Sequence, residues 1–186
     1  MYLTNFFGHL RTVITHKIYV ARYCFMCGLY VQGVMHDMSK FSPAEFFESV
    51  KYYQKTSSPI NACKSVNGYS AAWFHHRGHN KHHWEYWVDD FQKGMIPKKM
   101  PFRYALEMVC DYLGAGRAYM GDAFSMQKEY DWYRNKRELA VMHPAVLRLT
   151  DAVFDAMLTR GIDTVLRDRR FLHSLKQEYL HDSPQK

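Results

Sequence analysis

The chain has 186 residues, 47% of them hydrophobic, and a formal net charge of +7. That length suits one domain, residues 1–186, with a real core. No apolar run reaches the 18 or so residues of a transmembrane helix, and the N-terminus lacks the basic and apolar stretches of a secretory signal. Four cysteines are too few for a disulfide scaffold. We therefore expect a cytoplasmic domain with no membrane partner.

The positive charge is concentrated in the first two thirds of the chain. Residues 1–119 contain 14 lysines and arginines against 8 acidic residues, whereas residues 120–186 contain 11 against 10. This asymmetry favours a small anionic ligand such as a phosphate ester. Nucleic acid is compatible with the charge but is not favoured, because no long Lys/Arg stripe is visible. A basic surface without any ligand would give the same charge.

The predicted elements of the first half are helices, with almost no strand signal. Apolar residues at helical spacing predict a long helix over residues 3–30. A second, short helix should reach Asp37. Residues 42–45 (SPAE) combine an N-cap serine, a proline at the first helical position and the glutamate of a capping box, so a third helix begins there. Residues 56–69 are polar with Pro and Gly, which predicts a loop.

The second half continues the helical pattern. Helices are predicted from Ser70 up to an interruption near Gly78, then over residues 102–119, 144–160 and 163–180. Gly161 ends the third of these, while residues 122–135 are mixed and aromatic. The sequence therefore predicts an all-α domain. Its motif-bearing core covers about residues 10–120, and C-terminal helices at about 144–181 pack on that core.

Histidines and aspartates recur in an order that can converge on metal ions. His16 precedes His36-Asp37, and Asp111 comes last; between them lie five more histidines, His75, His76, His79, His82 and His83. Neutral imidazole and carboxylate together suit Zn, Fe, Mn or Ni. Neighbours in a regular helix point about 100° apart, so His36 and Asp37 can reach one metal site only where the backbone leaves the regular helix. An aspartate there can bridge two ions with its two oxygens.

This order resembles the HD-domain superfamily of metal-dependent phosphohydrolases, which is arranged His … His-Asp … (His … His) … Asp on an all-helical core. Lys40 follows the His-Asp pair as in the H-D-x-G-K version of the motif, where the lysine contacts phosphate. The strings HDMSKFSPAEF, AAWFHHRGHNKHHWEYW and MPFRYALEMVCD resemble more closely segments of an uncharacterised bacterial and phage family of HD-like proteins. The resemblance covers about residues 10–120. It implies an HD-domain-like helical bundle with additional C-terminal helices.

Three features depart from the superfamily pattern. Ser39 stands in place of the glycine of H-D-x-G-K, and no G-Y-P follows the His-His-x-Glu segment at residues 82–85. His75 and His76 precede His82 by only seven and six residues, where the superfamily places a whole helix between its third and fourth histidines. The choice of histidines for a second ion therefore stays open.

The resemblance implies metal-assisted hydrolysis of a nucleotide or another small phosphate ester. One or two divalent ions (Mn, Fe, Ni, Co, Zn or Mg) would be held by His16, His36, Asp37, His76, His82, His83 and Asp111. Such an ion brings the pKa of a bound water towards neutrality. Lys40 would stabilise charge that develops on the phosphate, and Arg77 and Lys81 would help to bind it. Glu85 would act as a general acid or base, or would orient a ligating histidine.

Two other functions remain open from the sequence. Some proteins with HD-type ligands hold a mixed-valent pair of irons and activate O₂, so an oxygenase is one alternative. A non-catalytic metal-binding helical module is the other. The sequence does not indicate the substrate, the metal or the oligomeric state.

Overall fold

The computed structural model of the protein describes residues 2–91 and 94–182. These residues form ten α-helices, three short 3-10 helices and one antiparallel pair of strands. The all-α fold class predicted from the sequence is confirmed. Within the described ranges, no helix is long and apolar enough to cross a membrane.

The elements follow one another along the chain with short connections. The helices are α1 (Tyr2–Met26), α2 (Tyr30–Met35), α3 (Pro43–Lys51), α4 (Pro59–Asn67), α5 (Ala71–His79), α6 (Phe102–Met120), α7 (Met126–Leu139), α8 (Pro144–Arg160), α9 (Ile162–Arg167) and α10 (Arg169–His181). The strands are β1 (Val88–Phe91) and β2 (Gly94–Pro97), paired from Val88 opposite Pro97 to Phe91 opposite Gly94. The 3-10 helices are Met38–Phe41, Trp84–Trp87 and Gly121–Ala123.

The pairing of α1 with α6 forms the centre of the core. Val20 of α1 packs onto Gly114 of α6, where a side chain on the glycine would collide with the valine. This close approach brings the buried histidine face of α1 next to α6. On the other side, α8 packs on α6 and on α7, and Phe154 stacks on Tyr133 with ring centroids 4.0 Å apart.

Two predictions for the first half were wrong. The long helix over residues 3–30 ends at Met26, because Gly28 takes a left-handed φ of 82° and turns the chain before α2 begins. The predicted loop over residues 56–69 contains helix α4. Its start signal is the Ser58-Pro59 pair, with proline at the first helical position, and Gly68 ends it at a φ of 79°.

Three further elements differ from the sequence prediction. Val88–Phe91 and Gly94–Pro97 pair as antiparallel strands, although the sequence showed almost no strand signal. The mixed segment 122–135 is mostly helix α7, which Ser125 caps by accepting a hydrogen bond from the backbone N–H of Lys128. The predicted last helix is divided at Asp168, whose carboxylate accepts from the backbone N–H of Phe171 and so begins α10.

Candidate metal centre

A left-handed turn at Asp37 brings two adjacent side chains to one place. Asp37 has φ 53° and ψ 27°, and among the described residues it is the only non-glycine with positive φ. Aspartate tolerates this conformation better than most residues. Because the backbone leaves the helix between α2 and the following 3-10 helix, His36 and Asp37 both face the interior. Both are 2% exposed.

A lysine from α1 fixes the end of α2 beside this turn. The ammonium of Lys17 donates to the carbonyl oxygens of Val34 and His36 at 2.6 and 2.8 Å. These carbonyls belong to the last turn of α2 and to its C-cap, where helical partners are missing. These two hydrogen bonds hold the backbone of His36 against α1. They come from Lys17, the residue that follows His16.

Four ligand atoms meet where α1, α2 and α6 converge. The Nε2 atom of His16 lies 3.3 Å from Asp37 Oδ2 and 3.1 Å from Asp111 Oδ1. The Nε2 atom of His36 lies 3.3 Å from each of the same two oxygens. We call His16, His36, Asp37 and Asp111 the Asp111 group; one ligand atom from each lies within 4.8 Å of the others, and all four residues are buried.

A second group of four shares Asp37 with the first. Its other members are His76 near the end of α5 and His82 and His83 in the turn that follows, again with ligand atoms within 4.8 Å of one another. The second carboxylate oxygen of Asp37, Oδ1, lies 3.3 Å from His76 Nε2 and 3.4 Å from His82 Nε2. We call this set the His83 group. The two oxygens of Asp37 thus face two different sets of imidazoles.

Two buried glutamates hold the far sides of these imidazoles. Glu107 lies one helical turn before Asp111 on α6, and its Oε1 is 3.0 Å from His36 Nδ1 and 3.3 Å from His82 Nδ1. Glu45 on α3 places Oε2 2.7 Å from His76 Nδ1. With an N–H donated from Nδ1 to a carboxylate, a neutral imidazole keeps its lone pair on Nε2. Each of these lone pairs then points towards Asp37.

The charges in this cluster are strongly coupled. Burial alone would lower the pKa of His36, but the carboxylates of Asp37 and Asp111 raise it well above its ordinary value. Burial would raise the pKa of Asp37, but His36 and Lys40 hold it well below the usual range. The pKa of His82 is lowered by burial and by the charge of His36. The imidazoles of His36 and His82 therefore cannot both be protonated easily, although both face carboxylates.

The donor set fits one or two divalent cations. Within the described residues, five buried side-chain atoms make no hydrogen bond. Two are His9 Nδ1 and Glu85 Oε2, and the other three are Asp37 Oδ1, His82 Nε2 and His83 Nε2. These last three belong to the His83 group, and buried polar atoms of this kind normally have partners. Lone pairs of imidazole and carboxylate that face each other across 3–4 Å repel unless a cation lies between them. Imidazole and carboxylate ligands together suit Zn, Fe, Mn or Ni.

Ser39 joins the two halves of the site. The amide of Asn80 donates to Ser39 Oγ at 2.7 Å and to the carbonyl oxygen of His76 at 2.7 Å. Ser39 Oγ also lies 3.3 Å from His76 Nδ1. A glycine would make neither contact, so Ser39 links the turn at Asp37 to the end of α5.

Lys40 lies beside the shared aspartate. Its Nζ is 2.6 Å from Asp37 Oδ2, and its side chain is one quarter exposed. Burial would lower the pKa of Lys40, but Asp37 and Asp111 raise it, so the ammonium stays charged. An ammonium has three donors, and one contact with Asp37 leaves others for an anion that reaches the cluster from solvent.

The remaining predicted substrate and catalytic residues do not join either group. The guanidinium of Arg77 lies over the ring of Phe74, 4.6 Å from its centroid, and Lys81 is exposed. Glu85 has a pKa raised by burial, and the charges that act on it come from Arg77 and from lysines of α4 and α7. His75 and His79 stack on each other with centroids 4.0 Å apart, outside both groups.

Most of the chain matches one family model. Residues 5–156 match DUF5662, a family of unknown function. The chain belongs to this family. No curated protein and no solved structure matches it. All seven residues of the two groups lie inside the matched segment of this DUF5662 protein.

Three buried glutamates of this DUF5662 protein were missed by sequence reasoning. The sequence pattern indicates only a capping role for Glu45, and it gives no role to Glu107 or Glu129. A signal existed for Glu107, because it precedes Asp111 by four residues and so shares its helical face. Glu129 on α7 packs against the backbone of α6 at Gly116, and nothing in its local sequence indicates this.

Proposed function

We propose that this protein is a metal-dependent phosphohydrolase that acts on a nucleotide or another small phosphate ester. The carrying observation is the shared Asp37, whose two oxygens face two different sets of buried imidazole nitrogens. Two adjacent cation sites with a common carboxylate are typical of enzymes that displace groups at phosphorus. The proposal also places this chain with the HD-domain superfamily it resembles.

Each residue has a defined part in this proposal. The Asp111 group would hold one divalent ion and the His83 group a second. When bound, such an ion supplies positive charge to phosphoryl oxygens and makes water more acidic. Lys40 would donate to a phosphate oxygen while it stays paired with Asp37, and this fixed charge stabilises negative charge that develops during hydrolysis. The basic first two thirds of the chain attract an anionic substrate.

The test combines metal analysis with a substrate panel. Protein purified and then loaded with Mn, Fe, Co, Ni, Zn or Mg is assayed for phosphate release from nucleotides and simple phosphate esters. We expect hydrolysis that depends on the metal and that is lost in Asp37→Asn and in Lys40→Met. Lys55→Met is the matched control, since Lys55 is an exposed lysine outside both groups. Metal-loaded protein that hydrolyses no member of the panel would refute the proposal.

A further inference from the structure

The two buried glutamates raise the question of whether they bind metal or orient the histidines that do. Glu107 is 4% exposed and Glu45 is 3% exposed. Glu107 with His36 and His82 also satisfies the distances of a metal-binding triplet. The answer depends on which ring nitrogen of each histidine faces which partner.

The ring nitrogens divide the site into two sides. Within residues 2–91 and 94–182, the one carboxylate atom in contact with the Nδ1 side of His36 and His82 is Oε1 of Glu107. On the Nε2 side lie both oxygens of Asp37, with Asp111 beside them. The Nε2 side therefore offers two complete sets of four donors, whereas the Nδ1 side offers a single oxygen. A cation is better held on the Nε2 side.

We propose that Glu107 is a positioning residue that fixes both His36 and His82 with one carboxylate oxygen. Because His36 belongs to the Asp111 group and His82 to the His83 group, one side chain orients a ligand in each. Glu45 orients one ligand histidine, His76; its other oxygen lies 2.7 Å from Nδ1 of His75, which is outside both groups. Carboxylates that accept from a ligating imidazole fix its tautomer, and their loss typically lowers metal affinity about 10- to 100-fold. This inference rests on the metal centre of the proposed function, not on its substrate.

The test compares two variants of nearly equal shape. Glu107→Gln keeps an oxygen that accepts from Nδ1–H, and Glu107→Met removes the acceptor. Affinity for Co²⁺ and Zn²⁺ is measured by competition with a chelating dye, the number of ions by elemental analysis, and the coordination by the visible spectrum of Co²⁺. We expect Glu107→Met to weaken both sites about 10- to 100-fold, and Glu107→Gln to recover most of that loss. Glu45→Met should weaken one site only.

The controls separate this inference from the proposed function. Glu129→Gln changes a buried glutamate that, in the described part of the chain, makes no hydrogen bond or ion pair with a ligand histidine, and it should leave affinity unchanged. Equal affinity in wild type and Glu107→Met would overturn the positioning role. Loss of a whole ion in both Glu107 variants would overturn it too, since Glu107 would then be a ligand. If wild-type protein bound no metal, the proposed function itself would fall.

A separate observation concerns the outer surface of the first helices. Of the 23 large apolar side chains that are exposed in the described residues, 13 lie between Tyr2 and Phe47. Ten of these are on α1 and α2, namely Tyr2, Leu3, Phe7, Ile14, Ile18, Phe25, Tyr30, Val31, Val34 and Met35. We call this surface the α1–α2 face. It continues from one helix to the next, because the ring of Phe25 contacts that of Tyr30.

The size and composition of this face fit a protein interface. Half-exposed side chains of this size present about 100 Å² each, so the face exposes on the order of 1,000 Å² of apolar surface. A stable interface needs about 800 Å² from each partner, and monomers rarely expose so large a patch. Residues 2–36 contain aromatic residues, methionine and arginine but no Asp or Glu. Interfaces show this same enrichment and this same depletion.

We infer that the α1–α2 face pairs with the same face of a second copy of this chain. The apolar stripe of α1 runs along the helix at Leu3, Phe7, Ile14, Ile18 and Phe25, with spacings of four and seven that suit helix–helix packing. A two-fold axis across such a stripe sets like against like. Lys17 does not oppose this, because carbonyl oxygens of α2 already hold its ammonium.

Sedimentation and light scattering of the full chain test the pairing. Wild type should have twice the mass of the 22.1 kDa chain. Phe7→Glu and Val31→Glu, at positions 64% and 72% exposed, should each give a folded monomer. Leu139→Glu is the control, since Leu139 is 80% exposed on α7. A monomeric wild type would overturn the inference, as would dimeric Glu variants. Monomeric wild type that sediments with anionic phospholipid vesicles would assign the face to a membrane surface instead.

Discussion

Glu129 should make this protein lose stability as the pH rises through neutrality, and Glu129→Gln should restore that stability. Burial, and then the negative charge of Asp111, raise the pKa of Glu129 from 4.5 to about 8. The folded protein therefore keeps a proton that the unfolded chain releases above about pH 4.5. Between that pH and 8, each unit of pH favours the unfolded chain by about 1.4 kcal/mol. At pH 7 the cost is about 3 kcal/mol.

Glutamine has the same shape and does not titrate, so its gain should follow the same pH dependence. In metal-free buffer, urea unfolding should show Glu129→Gln more stable than wild type by about 3 kcal/mol near pH 7, and by less than about 1 kcal/mol near pH 5. For a chain of this size the gain at pH 7 corresponds to roughly 6–12 °C in melting temperature. Glu138→Gln, at an exposed position of the same helix, should change neither value. An equal difference at the two pH values would refute the reasoning.

Three other substitutions test the site and the fold. Asp37→Asn should weaken metal binding at both groups by about 100-fold or more, whereas Asp111→Asn should weaken it at the Asp111 group only. Elemental analysis counts the bound ions. Equal ion counts in the two variants would contradict the shared role of Asp37. Phe154→Ala removes a fully buried ring stacked on Tyr133 and should lower the free energy of unfolding by about 3–5 kcal/mol in urea titrations. Ser42→Ala removes the N-cap of α3 and should lower it by about 1 kcal/mol; no change would show that the cap is replaced.

Local sequence patterns were enough to predict the all-α class and the boundaries of α6 and α8. Helix α3 begins at the SPAE signal and α8 ends at Gly161, because caps and turn residues act over a few neighbouring positions. The order of His16, His36-Asp37, the later histidines and Asp111 also indicated a metal centre before any geometry was known. This prediction depends only on the types and order of the residues, since each residue type has its own ligand chemistry.

Only the tertiary structure decided how the site is divided and supported. The sequence left the choice among five histidines open, because the turn after α5 aims His82 and His83 inward while His75 and His79 stack outside. The left-handed turn at Asp37 and the glutamates on α3 and α6 have no pattern linking them along the chain. They meet because α1 and α6 pack closely at Gly114 and α3 packs against α5. Residue types determine which ligands are available, and helix packing determines which of them share an ion.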